Sequence, residues 1–320
     1  MTLRVKLDAL RSSLIVRAVV AFLATGTLAA QTFFTDRSVF LSNTTATNYE
    51  ESFADWSEGD PLDGHQAEWE APGAGDFNWI LTAPGAGNQF LYSLYQAAST
   101  SSPGDELTFT FSGDPVYAFG GDFWGTMFDG FPQQADITFQ TSNGDSFTHR
   151  VTGRTFLGIV SGVPLSAVTI SASSSQPVWP TAGNVIAGGL NPNADLDGDG
   201  MSNGAEQLAG TAPADARSVF RVTSVAFDGD HLTVTFPAVA GRIYYLEWSD
   251  ALQTADWHAA DVAPYVCESD GAAQFNLNLD AGLSHRTFRV KVELQQGLSA
   301  RSRGRTRTYD QSVNSRPLYH

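Results

Sequence analysis

Residues 135–152 read ADITFQTSNGDSFTHRVT. Apolar and polar side chains alternate on both sides of Ser-Asn-Gly-Asp, a pattern that suits a two-stranded antiparallel hairpin. Period-two alternation turns one face of each run to a core and the other to water, and Asn-Gly reverses the chain at φ angles most residues avoid. Comparable runs return in ELTFTF (106–111) and LSAVTISA (165–172). They return again in FRVTSVAF (220–227), HLTVTFP (231–237), RIYYLEWS (242–249), AQFNLNL (273–279) and TFRVKVEL (287–294). Short strands punctuated by Gly, Pro, Asn and Asp predict an all-β chain of antiparallel sandwiches. Their spacing predicts a jelly-roll-like sandwich over residues 31–190 and a smaller, fibronectin III-like one over 218–294. Residues 191–217 carry neither pattern. They hold an acidic loop and then GAEQLAG, a short helix that Gly210 is placed to end and Pro213 keeps from resuming. From residue 295 to 320 the chain is polar, Arg-rich and aperiodic, which predicts a disordered tail.

The first thirty residues read as a signal peptide. Arg4, Lys6, Arg11 and Arg17 precede an apolar run at 18–28, and small residues at Thr27 and Ala29 suit a signal peptidase. That run is too short to span a bilayer, and no later run approaches such length, so no transmembrane segment is expected after cleavage. The expected address is outside the cell or on its surface. The formal charge is −16, from 18 basic and 34 acidic residues, and nine of the basic residues lie in the leader and the last twenty positions. The body between them should repel nucleic acid and anionic lipid and attract cations. Cys267 is the only cysteine, so no intramolecular disulfide is available in an oxidising compartment. Its strand-like setting, PYVCES, predicts a buried, inert thiol.

The acidic loop reads DLDGDGMSNGAE from Asp195 to Glu206. Asp195, Asp197 and Asp199 fall at loop positions one, three and five, and Gly200 at six, where the backbone turns sharply. Met201 at seven offers its carbonyl, Asn203 falls at nine, and Glu206 at twelve can close the cage with both oxygens. This spacing satisfies the calcium-loop pattern in full. Calcium takes six to eight hard oxygen ligands, whereas zinc would ask for His or Cys, and neither is present here. The expected cofactor is therefore Ca²⁺, held by Asp195, Asp197, Asp199, Met201, Asn203 and Glu206. GLNPNA precedes the loop and cannot form an entering helix, so the pattern predicts a structural clamp between two β-domains rather than a calcium-operated switch.

The segment NADLDGDGMSNGAEQLAGTAPADARSVFRV resembles the thrombospondin type 3-like, dockerin-related calcium segments of secreted bacterial proteins. The resemblance covers residues 191–222 and implies calcium ligation by the same residues. Where that family often carries a further acid, this chain has Ala212, which cannot ligate; Asp215 is the remaining acid nearby. The upstream sequence is similar to the β-sandwich of exported PEP-CTERM-type proteins, through YAFGGDFWG (117–125), TFLGIVS (155–161) and AGNVIAGG (182–189). It lacks that family's Pro-Glu-Pro and apolar helix.

Motifs for acyl transfer, zinc proteolysis, phosphate cradling and dinucleotide binding are missing from the sequence. Six histidines, His65, His149, His231, His258, His285 and His320, show no ligand spacing. The expectation is a non-catalytic, calcium-binding modular protein with a structural, adhesive or matrix role, whose partners are calcium and envelope or matrix components. An alternative is a carbohydrate-binding accessory protein. For that reading Trp56, Trp69 and Trp79, in polar Gly/Pro-rich stretches, are the candidates for exposed aromatics, with burial under loops an equal alternative, and Trp124 is expected to pack beside Phe119, Phe123 and Phe128. A less favoured reading is a secreted glycoside hydrolase using Glu50 and Glu51, or Glu68 and Glu70, as paired carboxylates.

Overall fold

The structure, a computed structural model, describes residues 2–6, 31–45, 48–53, 68–70, 76–83, 91–93, 96–250, 256–279 and 285–295. The chain divides into two compact units, one of Thr27–Asn203 with Ala212–Ala216, the other of Met1–Gly26, Gly204–Thr211 and Arg217–His320. Both are built from antiparallel sheets, and the chain is all-β, as the alternation predicts.

In the larger unit, one sheet runs in the order Gln31–Phe34, Thr155–Leu165, Val116–Thr126, Trp179–Gly188, Ala98–Thr100 and Leu91–Ser93. Pro132–Gln133 adds to the Val116–Thr126 strand and Tyr49–Glu51 to the Trp179–Gly188 strand. The facing sheet runs Ser146–Val151, Ala135–Thr141, Ala167–Ser173, Leu107–Gly113, Phe77–Thr82 and Glu68–Glu70. The hairpin expected at residues 135–152 forms there, with Phe139 opposite Phe147 and Gly144 at φ +93° in its turn.

The core between the sheets is aromatic. Phe123 meets Phe139 edge-on at 4.9 Å, and Phe119 meets Phe109 at 4.9 Å. Alternation sets this layer: in Phe77–Thr82 the side chains of Phe77, Trp79 and Leu81 are buried, and Asn78, Ile80 and Thr82 are not. On the opposite face of the first sheet, a one-and-a-half-turn helix, α1 (Arg37–Ser42), seats Phe40 against Ala118, Val160 and Ile186. Asp36 caps it by accepting from the Ser38 and Val39 amides at 2.7 and 3.1 Å. The sequence carries no periodic sign of this helix, because six residues are too few to display a 3.6-residue period.

Close sheet packing also explains Gly125. A Cβ there would lie 2.4 Å from Val178 Cγ2 and 2.7 Å from Ala135 Cβ, both core side chains. Gly125→Ala is expected to destabilise this unit by about 1–3 kcal/mol. The measurement is a lower urea midpoint at unchanged m-value.

The smaller unit pairs a three-stranded sheet (Ser224–Asp228, His231–Ala238, Gly271–Asn278) with a five-stranded one. The latter holds Thr2–Lys6, His285–Leu294, Arg242–Ser249 and His258–Ala259 in order, with Tyr265–Cys267 also on Arg242–Ser249. Phe236 stacks on Phe275 at 5.2 Å within its own sheet and reaches Tyr244 of the other at 5.0 Å. The run expected as a strand from residue 220 begins only at Ser224. Phe220 instead stacks on Tyr244 at 6.1 Å as a core side chain. Cys267 is free and fully buried, its thiol donating to the Ser269 carbonyl, as the PYVCES context predicts. The second helix, α2 (Asn203–Ala209), ends at Gly210, φ +78°, and Arg242 donates to the carbonyls of Gln207 and Leu208 in its last turn. Among the described residues no helix is long and apolar enough to cross a membrane. Thr2–Lys6, which falls within the expected signal peptide, pairs with His285–Leu294 at the edge of the five-stranded sheet. The rest of the leader lies outside the described residues, and so does the expected tail beyond Gln295.

Candidate metal centre

Short polar side chains two residues apart can hydrogen-bond the backbone just ahead of them, and the acidic loop is built by that habit. Asp195 accepts from the Gly198 and Gly200 amides, one on each oxygen, both at 2.8 Å. Asp197 Oδ1 accepts from the Asp199 amide at 3.1 Å, and Asp199 Oδ1 from the Met201 amide at 2.6 Å. Gly198 and Gly200 take φ of +74° and +91°, the left-handed turns that let successive amides point inward.

The result is a concentration of negative charge. Asp195, Asp197 and Asp199 each bring a carboxylate oxygen within 4.8 Å of the others. At an effective dielectric near 20, each such pair repels by roughly 3 kcal/mol before solvent around Asp195 screens it. Two oxygens, Asp197 Oδ2 and Asp199 Oδ2, are buried and make no hydrogen bond among the described residues. Burial first, and then the fields of Asp199, Asp195 and Asp215, hold the Asp197 carboxyl above its ordinary value, against the lowering pull of the Asp199 amide. Carboxylate oxygens turned away from both water and protein donors are the ligands a hard divalent cation takes. The donor set therefore fits Ca²⁺.

The other residues of the pattern stand as follows. Asn203 is buried, and its side chain closes the loop upon itself: Oδ1 accepts from the Leu196 amide at 3.1 Å and Nδ2 donates to the Asn191 carbonyl at 2.8 Å. Sequence spacing gave no sign of these bonds. Met201 contributes its amide to Asp199, leaving its carbonyl as the atom the pattern assigns. Glu206 is fully buried in the first turn of α2, with Oε1 3.3 Å from the Thr211 hydroxyl. Asp215 enters through its field on Asp197.

The aromatic and carboxylate candidates fall differently. Trp124 is buried, as expected, with the Arg154 guanidinium 5.0 Å from its ring. Of the two places the sequence leaves open for Trp79, the structure takes burial: the ring is fully covered and packs on Phe109 at 5.3 Å. Phe128, expected in the core, is 92% exposed because it stands in the turn beyond the end of its strand. Trp56 and the Trp69 side chain lie outside the described residues, as do the side chains of Glu68 and Glu70. Glu50 is ion-paired with Arg37. Glu51 accepts from the Tyr49 hydroxyl at 2.8 Å and the Phe53 amide at 2.6 Å, a setting that spends its oxygens on local structure. Of the histidines, His149 lies 6.1 Å from Phe33, His231 beside Asp230, and His258 4.8 Å from Trp248, far apart in sequence and on separate strands.

No protein-family model matches the chain, and no curated protein matches it. Among solved structures, it is similar to the tandem CBM22-1–CBM22-2 domains of Xyn10C from Paenibacillus barcinonensis: 13% identity over 78% of this chain and 90% of that one, TM-score 0.26. A second is allantoicase from Saccharomyces cerevisiae, at 10% identity over 83% and 96%, TM-score 0.19. A third is oxalate decarboxylase from Bacillus subtilis, at 10% identity over 66% and 76%, TM-score 0.13. Likeness of this degree decides neither ligand nor reaction. The fold class stands on the chain's own strand pairing.

Proposed function

We propose that this chain is an exported, non-catalytic β-sandwich protein that binds Ca²⁺ in the Asp195–Glu206 loop and does structural or adhesive work at the cell surface or in the surrounding matrix. The observation that carries the calcium reading is the pair of buried carboxylate oxygens without hydrogen-bond partners, Asp197 Oδ2 and Asp199 Oδ2, beside a third acid. The spacing at 195, 197, 199, 201, 203 and 206 supports the same ion. When bound, calcium would cancel the repulsion among the loop acids and hold the turn closed. Export rests on the basic leader and its apolar run, and the absence of turnover on the lack of any recognised catalytic motif in the sequence. Calorimetric titration of the chelator-treated protein with CaCl₂ tests the reading: one saturable site, lost in Asp197→Ala and Glu206→Ala, supports it, and no heat of binding at millimolar calcium rejects it.

The pH dependence has a definite sign. Without the ion, folded Asp197 holds its proton more tightly than unfolded Asp197. That contribution to stability is full below the ordinary carboxylate pKa and is lost as pH rises through the raised folded value. Calcium competes with that proton. The gain in Tm on adding calcium is therefore expected to be largest near pH 7 and to shrink toward zero near about pH 4, as read by scanning calorimetry.

A second reading, a carbohydrate-binding accessory protein, is supported by one feature: aromatic rings held in water by an ordered turn, Phe128 at 92% and Phe131 at 59% exposure.

A further inference from the structure

Large apolar side chains left in water on a closed turn mark interaction surfaces. The turn joining Val116–Thr126 to Pro132–Gln133 is closed by three hydrogen bonds. The Met127 amide donates to the Phe131 carbonyl at 2.9 Å, the Gly130 amide to the Met127 carbonyl at 2.9 Å, and the Phe131 amide to Asp129 Oδ1 at 3.2 Å. Gly130 permits the reversal at φ +81°. Trp179 opposes Thr126 across the ladder, half-buried, with its ring 6.5 Å from that of Phe128 and tilted 59° to it. Gln133 Nε2 donates to the Pro177 carbonyl at 2.9 Å, tying the segment that leads into Trp179 to the same hairpin.

We infer that this hairpin tip, with the neighbouring rings of Phe128 and Trp179 and the exposed Phe131 of the same turn as its apolar contacts and Asp129 as hydrogen-bond acceptor, is a binding site for neutral polysaccharide. The inference rests on the carbohydrate-binding reading and gives it a location. A pyranose ring presents a face of C–H groups rimmed by hydroxyls. Flat aromatic rings take the face, and a carboxylate at the edge accepts from the hydroxyls. Asp129 Oδ2 makes no hydrogen bond among the described residues and stands between the two phenylalanines in sequence.

Charge and size select this occupant. The chain carries −16, which opposes anionic polymers and anionic lipid. Inserting the tip into a bilayer would carry the Asp129 carboxylate toward hydrocarbon. The exposed apolar area of a few rings is on the order of 300–400 Å², short of the ~800 Å² that each partner contributes to a stable protein interface. It matches one or two sugar rings.

The test is affinity electrophoresis of the full chain, with calcium present, through gels containing xylan, mannan, mixed-linkage β-glucan, hydroxyethyl cellulose or alginate. Retardation by at least one neutral polymer but not by alginate is expected. Phe128→Ala and Trp179→Ala should weaken it about tenfold each, and Phe128→Tyr should retain it. Phe128 is exposed, so its replacement leaves the fold intact, and an unchanged Tm verifies this. Retardation unchanged in both alanine variants overturns the site while the carbohydrate reading survives. No retardation by any polymer overturns both. Sedimentation with phosphatidylcholine vesicles that depends on Phe128 assigns the tip to membranes and also overturns the site.

Discussion

Trp79→Ala is expected to destabilise the larger unit by about 3–5 kcal/mol. Trp79 is fully buried among rings, 5.3 Å from Phe109, 6.3 Å from Tyr49 and 6.4 Å from Phe53. Truncation removes one of the two tryptophans of that core and leaves a cavity walled in part by strands pinned by their ladders, so collapse recovers little of it. Against a total stability on the order of 5–15 kcal/mol, this is a large fraction, and the urea midpoint should fall accordingly. A midpoint within the error of wild type would mean that Trp79 does not sit in the core. Trp79→Ala therefore makes a poor probe of ligand binding, since any loss would report unfolding. Phe128→Ala, on the exposed turn, carries no such ambiguity.

Removing calcium is expected to lower Tm by several degrees. At ten times Kd, an ion that binds only the folded chain adds about 1.4 kcal/mol. For a unit of this size that corresponds to roughly 3–6 °C. The sharper expectation is a reversal of sign in Asp197→Asn. The amide oxygen can still accept from the Asp199 amide, so the turn keeps its hydrogen bond. What changes is charge. With excess chelator the variant should melt above wild type, because one of three mutually repelling carboxylates is gone. With millimolar calcium it should melt below wild type, because a ligand is gone. A variant that shifts Tm in the same direction under both conditions would indicate a loop held by its hydrogen bonds alone.

Much of this architecture was legible in the residues. ADITFQT and SFTHRVT pair in the register their alternation dictates, with Ile137 opposite His149 and Phe139 opposite Phe147. RIYYLEWS becomes the strand Arg242–Ser249 without a residue's difference. GAEQLAG lies in the helix Asn203–Ala209 and the Gly210 stop that follows it. The loop acids could be placed by counting, because two-residue spacing along a turning backbone decides which carboxylates share a centre. Trp79 carried a local signal for burial, since Phe77, Trp79 and Leu81 alternate with Asn78, Ile80 and Thr82 as in a strand, but the polar stretch around it left exposure equally open. Phe128 had no such signal. It follows Phe119 and Phe123 in an aromatic stretch and differs from them only in lying past the last residue of the strand.

What depends on near neighbours could be read from the residues: the alternating strands named from them, the Ser-Asn-Gly-Asp turn, the end of α2 and the set of acids in the loop. What depends on distant segments came only with the assembled fold. It put Phe40 over Gly158 and Val178 against Gly125, committed the Asn203 side chain to Leu196 and Asn191, and left Phe128 in water while Trp79 went under Phe109. Turn chemistry and side-chain alternation act over a few residues, whereas burial is set by the sheet that arrives from elsewhere in the chain. A ring is covered only where a second surface exists to face it.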